Sequence, residues 1–398
     1  MQYKNHIVIS STTTVSLISM LLLVGGSMVN IPSTSWAQTT TAATATTIES
    51  LQKQLQQKTL ELQQLQQQAQ QQKQQQEEQQ NEIHVNGTLG DNPCIKTGNY
   101  LTTFNCGSVT GDNGTRHFTL IAQENVAVNI TDEGQQFLAW AYNGSIPGPT
   151  LRMTEGDNVE ITVINNGSNR LPHSLHMHSI HPGEMDGVTG EGGAIQPGQS
   201  FTYKFIAEPA GVYPYHCHVN PIADHINRGL FGVMIIDPKE GRERMPEMVM
   251  VMNGYDLNYE REGQVNLPDV NKTNPLTFVA DAEEEDDERD NEIYTVNGFA
   301  FGYMKHPIHL DLGETYRIYL VNMLEFYLVN SLHVHGMMFK YIPSGTIDSS
   351  PITTDIVTLG QGDRGILEMT ATQPGHFMFH SHQDEFTQLG WMAMFNVV

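Results

Sequence analysis

One pattern of strands, turns and histidines occurs twice along the 398-residue chain, and this repeat limits the fold more than any other feature. The first copy runs through Asn143-Gly144, Gly156-Asp157, His176-x-His178, Pro197-Gly198 and Pro209-Ala210-Gly211-x-Tyr213-x-Tyr215-His216, and closes on 233–236 (VMII). The second runs through Asn297-Gly298, Leu312-Gly313-Glu314, His333-x-His335 and Pro374-Gly375-x-Phe377-x-Phe379-His380, and closes on 392–395 (MAMF). Between these markers lie short alternating runs rich in Val, Ile, Thr and aromatics, such as 158–165 (NVEITVIN) and 315–321, bounded by Gly, Pro, Asn and Asp. A period of two with frequent turns predicts an all-β chain of two antiparallel β-sandwiches. The boundary is placed near 238–245, which gives a first domain over 84–240 and a second over 241–398.

The repeat carries four His-x-His pairs: His176/His178, His216/His218, His333/His335 and His380/His382. Residues i and i+2 of a strand point to the same face, so each pair offers two imidazoles side by side. Neutral imidazole suits copper, zinc, iron and nickel. One such pair means little by itself. Two pairs per copy, at equivalent places in both, predict a cluster of several ions, because eight imidazoles are too many for one.

Cys217 lies between His216 and His218. A thiolate with imidazoles selects copper, and a trigonal Cys-His-His set with a weak axial position is the blue-copper electron-transfer arrangement. The two imidazoles it needs are near in sequence: His173 precedes the first pair, and His225 follows Cys217 by eight residues. Neighbouring side chains on a strand face opposite ways. Cys217 can therefore serve one copper while His216 and His218 serve the cluster behind it, with a short covalent path between them. In the second copy Asn330 stands for His173, Ser381 for Cys217 and Phe386 for His225, while both histidine pairs remain. The second domain reads as a cluster donor without an electron-entry copper.

Composition adds setting. Lys+Arg number 20 against 44 Asp+Glu, a formal charge of -24, which argues against nucleic acid or an anionic membrane as partner and suits a cationic or neutral reductant. Much of the acid is local, in 281–292 (DAEEEDDERDNE), which reads as a solvated loop. Residues 1–37 read as a signal peptide, with Lys4, an apolar core at 15–24 and Ser35-Trp36-Ala37, so the chain is expected to be secreted or extracytoplasmic. An uncleaved segment acting as a membrane anchor is the alternative. Residues 38–83 are a Thr/Ala linker and a Gln-rich stretch that is either a short coiled coil or a disordered tract. Of the three cysteines, Cys94 and Cys106 could pair in an oxidising compartment, and Cys217 is committed elsewhere.

These motifs, AsnGly…ProGlyPro, HisXXHisXHis, HisCysHis and HisSerHis, resemble those of the two-domain multicopper oxidases, the small laccases, and of the related copper nitrite reductases. The resemblance covers roughly 120–398. It implies two cupredoxin-like Greek-key sandwiches and a homotrimer with each cluster between neighbouring chains. It implies a type 1 copper held by His173, Cys217 and His225. Three further coppers, a type 2 and a binuclear type 3 pair, would be held by His176, His178, His216, His218, His333, His335, His380 and His382, giving about four per chain. The expected activity is one-electron oxidation of a small-molecule, metal-ion or protein donor, coupled to four-electron reduction of O₂ to water. Asp186, Asp384 and Glu385 are candidate proton carriers. Nitrite reductases carry an axial Met five residues after the second blue-copper histidine; here Leu230 stands there, which should raise the potential. The rival reading is a copper nitrite reductase, yet the Asp of its HisXXAspXHis pattern is His176 here, and His218 adds a further ligand. A non-catalytic copper or electron-transfer protein is the third. The remaining histidines, His181 among them, read as surface or satisfied core residues.

Overall fold

The computed structural model describes residues 53, 56–59, 83–84, 100–111, 114–257, 289–346 and 349–398. The expected signal segment, the Thr/Ala linker, most of the Gln-rich stretch, Cys94 and most of the acidic run lie outside the described residues. In the N-terminal unit 1–79, residues 53 and 56–59 are helical and exposed. Among the described residues no helix is long and apolar enough to cross a membrane. Cys106 is disulfide-bonded, and Cys217 is a free, buried thiol.

The rest of the chain is built from strands. They are β1 (Ile83–His84), β2 (Ser108–Thr110), β3 (Thr115–Asn129), β4 (Gln136–Tyr142), β5 (Leu151–Thr154), β6 (Asn158–Asn165), β7 (His176–Met177), β8 (Ser200–Ile206), β9 (Gly211–His216) and β10 (Phe231–Asp237). After 238–246 follow β11 (Glu247–Tyr255), β12 (Ile293–Val296), β13 (Ile308–Leu310), β14 (Thr315–Asn322), β15 (Val329–Val334) and β16 (Phe339–Pro343). The chain ends with β17 (Ile352–Thr354), β18 (Ile356–Gly360), β19 (Arg364–Thr370), β20 (Gly375–His380) and β21 (Met392–Val397).

In the first domain one sheet has the order β2-β3-β6-β8, with β4 also paired to β3, and the other β5-β10-β9-β7. The second domain has β12-β11-β14-β19-β16-β17 and β1-β13-β21-β20-β15-β18. Each domain is thus a pair of sheets, the cupredoxin-like sandwich that the resemblance implied, but the sheets are mixed rather than antiparallel as the alternation predicted: β3 runs parallel to β6, β5 to β10, β11 to β14 and β13 to β21. Residue 84, placed by sequence at the start of the first domain, pairs here with His309 of the second.

The runs FGVMIID and EMVMVMNGY are apolar at nearly every position because both of their faces are covered. On β10, Met234 and Ile236 enter the first domain's core, while Val233 and Ile235 face the other way. On β11, Met248, Met250 and Met252 enter the second domain's core, while Val249 and Val251 meet Val233, Ile235, Tyr319 and Val321. The two sandwiches therefore share an apolar layer between them. The paired Asn-Gly markers are turns: Asn143 and Asn297 take φ of 57° and 56°, and Gly144 and Gly298 take 75° and 78°. Each Asn also pins its turn to a neighbouring strand, Asn143 Oδ1 accepting from the Ile121 amide at 2.7 Å and Asn297 Oδ1 from the Val251 amide at 2.8 Å.

At one edge of the shared layer lies a buried ion network. Arg152 of β5 pairs with Asp237 of β10 at 2.7 Å and also with Glu247 of β11. Glu247 pairs in turn with Arg317 of β14 at 3.0 Å and accepts from the Tyr319 hydroxyl at 2.7 Å. Burial alone would push the Glu247 carboxyl up, but Arg152, Tyr319 and Arg317 hold it below its ordinary range. Glu247→Ala should remove the carboxylate that two buried guanidinium groups share, leaving Arg152 to Asp237 and Arg317 to Glu368, and lower stability by ~1–3 kcal/mol. The check is the urea midpoint of the metal-free protein at pH 7. In the wild type this contribution should persist down to the ordinary carboxylate range, about pH 4.3, and fade as pH drops through the lower folded value.

Candidate metal centre

Strand β9 ends at His216, and Cys217 and His218 continue just beyond it. The alternation holds across the three residues. The Cys217 sulfur turns toward His173 and His225, whose Nδ1 atoms lie 3.9 and 3.1 Å from Sγ and 3.3 Å from each other. All three residues are buried. Ser174 donates its amide to Sγ at 3.3 Å, and Cys217 donates its own amide to the Leu230 carbonyl at 3.0 Å. Leu230 is buried in the same core cluster as Cys217. Burial opposes the thiolate, yet His225 and His173 hold the Cys217 thiol well below its ordinary value. Burial likewise opposes the charged imidazole, yet Cys217 and Glu124 push His173 up to about 9. A buried, readily ionised thiol with two imidazole nitrogens converging on it is the donor set that copper prefers.

His225 sits on the short helix Ile222–Asn227, which residues of the second domain hold in place. Arg289 donates to Asp224 at 2.7 Å and to Asp256 at 2.6 Å, and Asn227 donates to Asn291 at 2.9 Å. Trp140 packs edge-on against His225 at 4.9 Å, with the Arg228 guanidinium over its ring.

His216 and His218 join His176 and His178 on the other side. The ring centroid of His176 is 5.3, 5.2 and 5.1 Å from those of His178, His216 and His218. Nε2 of His178 and Nε2 of His216 lie 3.1 Å apart. The second domain repeats this set, with His333 5.0, 5.6 and 5.5 Å from His335, His380 and His382, and Nε2 of His335 3.0 Å from Nε2 of His380. Four of the rings are oriented from behind through Nδ1. His176 faces the carbonyl of Asp186, His333 that of Asp355, His216 that of Cys217 and His380 that of Ser381. Such bonds fix the tautomer and leave Nε2 to face the other imidazoles. Burial, reinforced by neighbouring imidazoles, pulls His178 down to about 3 and His216 to about 4, so both are neutral potential ligands at pH 7. His335 and His382 are exposed, and His333 and His335 line an open cavity of about 730 Å³ with Met338, Asp355 and Thr370.

Asp186 lies at the first half-site, its Oδ1 3.2 Å from Nδ1 of His176 and 3.6 Å from Nε2 of His181. Asp384 and Glu385 are exposed in the first turn of the helix Asp384–Gln388, and Glu385 lies within electrostatic reach of Tyr294 and Tyr327. His181, read from sequence as a surface or core histidine, belongs beside the site: its ring is 6.0 Å from that of His176. Asp355 and Glu124 were also missed, and nothing in their local sequence marks them. Ser174 and Ser331 did carry a signal, standing at one offset before each first pair. Each accepts an amide from the last histidine of its half-site, Ser174 from His218 at 3.1 Å and Ser331 from His382 at 2.8 Å.

The same backbone bonds align the second domain's counterpart of the cysteine site. Ser381 donates its amide to Trp391, which donates to Phe386, as Cys217 does to Leu230 and Leu230 to His225. Asn330, Ser381, Phe386 and Trp391 thus occupy the positions of His173, Cys217, His225 and Leu230. Phe386 stacks on Tyr294 at 4.0 Å, and the Ser381 hydroxyl donates to Asn330 at 3.2 Å. Neither thiolate nor imidazole remains to hold a copper there.

Gly187, at φ +75°, lets the Asp186 loop close onto the strand that carries His176; a Cβ there would run into the Leu175 carbonyl. Gly187→Ala should displace the loop, leave the His176 ring unsupported and weaken copper binding at the histidine cluster about 10–100-fold. Copper titration of the variant against a competing chelator, with the cysteine-centred site followed by its optical band, should show the second unaffected.

Two multicopper oxidase family models match, over residues 123–241 and 269–398. The chain is similar to a copper-containing nitrite reductase of Neisseria meningitidis serogroup A, with 29% identity over 259 residues, 63% of this chain and 61% of the relative. It thus spans about three fifths of the length of the first curated relatives it matches. Among solved structures, a multicopper oxidase superposes with a TM-score of 0.63 at 41% identity, covering 75% of this chain and 95% of the other. A copper nitrite reductase from Nitrosomonas europaea gives 0.60 at 26%, covering 71% and 94%. With both family models matched and one relative so similar along nearly its whole length, the chain belongs to the multicopper oxidase family and is related to the copper nitrite reductases.

Proposed function

We propose that the protein is a copper-dependent oxidoreductase of the laccase-like kind, taking electrons singly at the Cys217 site and passing them to O₂ at a cluster built from both histidine half-sites. The observation that supports this reading most is the number of imidazoles: four rings gather at each half-site, three with donor atoms close together and the fourth, His218 or His382, with its ring centre 5.1 or 5.5 Å from that of His176 or His333; His176 and His218 are the two that the nitrite-reductase pattern lacks. Copper bound at the two places would supply one-electron entry and the four-electron reduction of O₂ to two waters.

The chain's own contribution is placement. Cys217 and the two flanking histidines are joined by single peptide units, so the entry site and the cluster half share one rigid strand end. Asp186 can hold a proton on its carboxylate beside His176 and is 36% exposed on its side chain, in touch with solvent. The exposed face of the second half-site fits completion by the first domain of another chain, which makes a homotrimer the proposed assembly. The disulfide at Cys106 supports export to an oxidising compartment. The acidic surface favours a cationic or neutral donor.

The second reading, nitrite reduction to nitric oxide, draws on the relatives that bear that name. Copper analysis with optical and EPR spectra, then O₂ uptake with a generic reductant, separates the two. The oxidase requires about four coppers per chain, a thiolate band near about 600 nm and steady O₂ consumption. About two coppers, no O₂ uptake and nitric oxide from nitrite would establish the alternative. Blue colour bleached by reductant, with neither product, would leave an electron carrier. A further prediction concerns Leu230, which offers no donor atom. Leu230→Met should lower the potential by about 59 mV or more, a tenfold change in the one-electron equilibrium. Redox titration of the blue band checks this, and an unchanged or raised midpoint would refute the axial assignment.

A further inference from the structure

On the far side of His173 from the cysteine lies a carboxylate that the proposed reaction does not use. Glu124 reaches in from β3, and its side chain is 5% exposed. Its Oε1 lies 3.1 Å from Nε2 of His173. The remaining capacity of the carboxylate is met by backbone amides, Leu171 at 2.9 Å and Arg170 at 3.1 Å. Its own amide donates to Asn169 Oδ1 at 2.9 Å, and the Asn169 amide group is itself held by the Ala122 carbonyl and Asn165. The bulge in β3 between Gln123 and Val126 re-aims this stretch of strand. The carboxylate is therefore fixed from three sides and aimed at a single ring nitrogen.

We infer that Glu124 is a positioning residue for the electron-entry site: it orients the His173 ring and holds a fixed negative charge behind it that lowers the site's potential, opposing the effect of Leu230. The inference rests on the proposed reading of His173, Cys217 and His225 as a blue-copper set. The chemistry follows from the ring. Nδ1 of His173 faces Cys217, so a neutral ring carries its proton on Nε2 and donates it to Glu124. A carboxylate on the outer nitrogen raises the basicity of the inner one and locks the ring's orientation. A buried negative charge next to a ligand favours the more positive oxidation state, because little solvent screens it. No proton or electron leaves Glu124 in this role.

The test separates charge from shape. Glu124→Gln keeps an oxygen acceptor for Nε2–H and removes the charge, whereas Glu124→Asp keeps the charge. Redox titration of the blue band should show Glu124→Gln shifted toward the reduced form by on the order of tenfold, about 59 mV upward, with Glu124→Asp closer to wild type. An unchanged midpoint in a Glu124→Gln protein that retains its blue band would overturn the inference while leaving the blue-copper reading intact. A wild-type protein with no thiolate–copper band would overturn both. Nitrogen-15 NMR of the wild-type Cu(I) form gives a readout independent of any variant. It should show one exchange-protected, strongly downfield imidazole N–H from His173, and its absence would equally count against the contact.

Discussion

A strand turns successive side chains to opposite faces, and at 216–218 this geometry ties the candidate electron-entry site to the candidate cluster. Cys217 faces the buried pocket of His173 and His225, and its two neighbours face His176 and His178. Only single peptide units separate Cys217 from His216 and His218, so the backbone that places one places the others. The supporting bonds repeat the same economy. The Cys217 carbonyl orients His216, its amide is held by Leu230, and Ser174 gives its amide to the sulfur while its hydroxyl accepts from His218. One short stretch of backbone thus fixes ligands for both places.

The architecture around this stretch is a consequence of packing two sandwiches face to face. Strands β10 and β11 bury both faces, which is why their sequences lose the alternation seen at 158–165. The shared layer carries the network of Arg152, Asp237, Glu247 and Arg317 at its edge, and a second set of cross-domain contacts, Arg289 with Asp224 and Asn291 with Asn227, grips the helix that bears His225. The second domain therefore contributes to the first domain's cysteine site without lending it a donor atom. Its own counterpart of that site is closed by Phe386 and Trp391, an aromatic filling in place of polar donors.

The donor sets were legible because each is written locally. His-x-His places two imidazoles on one face by strand geometry alone, and Cys217 between two histidines needs no tertiary knowledge to look like a ligand. The domain repeat was legible for a similar reason: Asn143-Gly144 and Asn297-Gly298 encode left-handed turns that side chains other than Asn and Gly resist. Glu124, Asp355 and His181 were not legible. Glu124 meets His173 across 49 residues, and Asp355 meets His333 across 22. Asp384 and Glu385 stand next to His382 in sequence, but they lie exposed on the first turn of a helix.

The sequence by itself therefore determined the all-β repeat, the identity and pairing of the donors, and the loss of the cysteine-centred site from the second copy. These follow from covalent neighbours and the period of a strand. Tertiary structure alone decided which distant groups stand behind the donors: the carboxylate at His173, the carbonyls of Asp186 and Asp355 that aim His176 and His333, and the clamp on the helix of His225. It also decided that the first half-site is more enclosed than the second, where His335 and His382 are exposed. Burial and long-range contact are properties of how strands stack, and no local spacing along the chain encodes them.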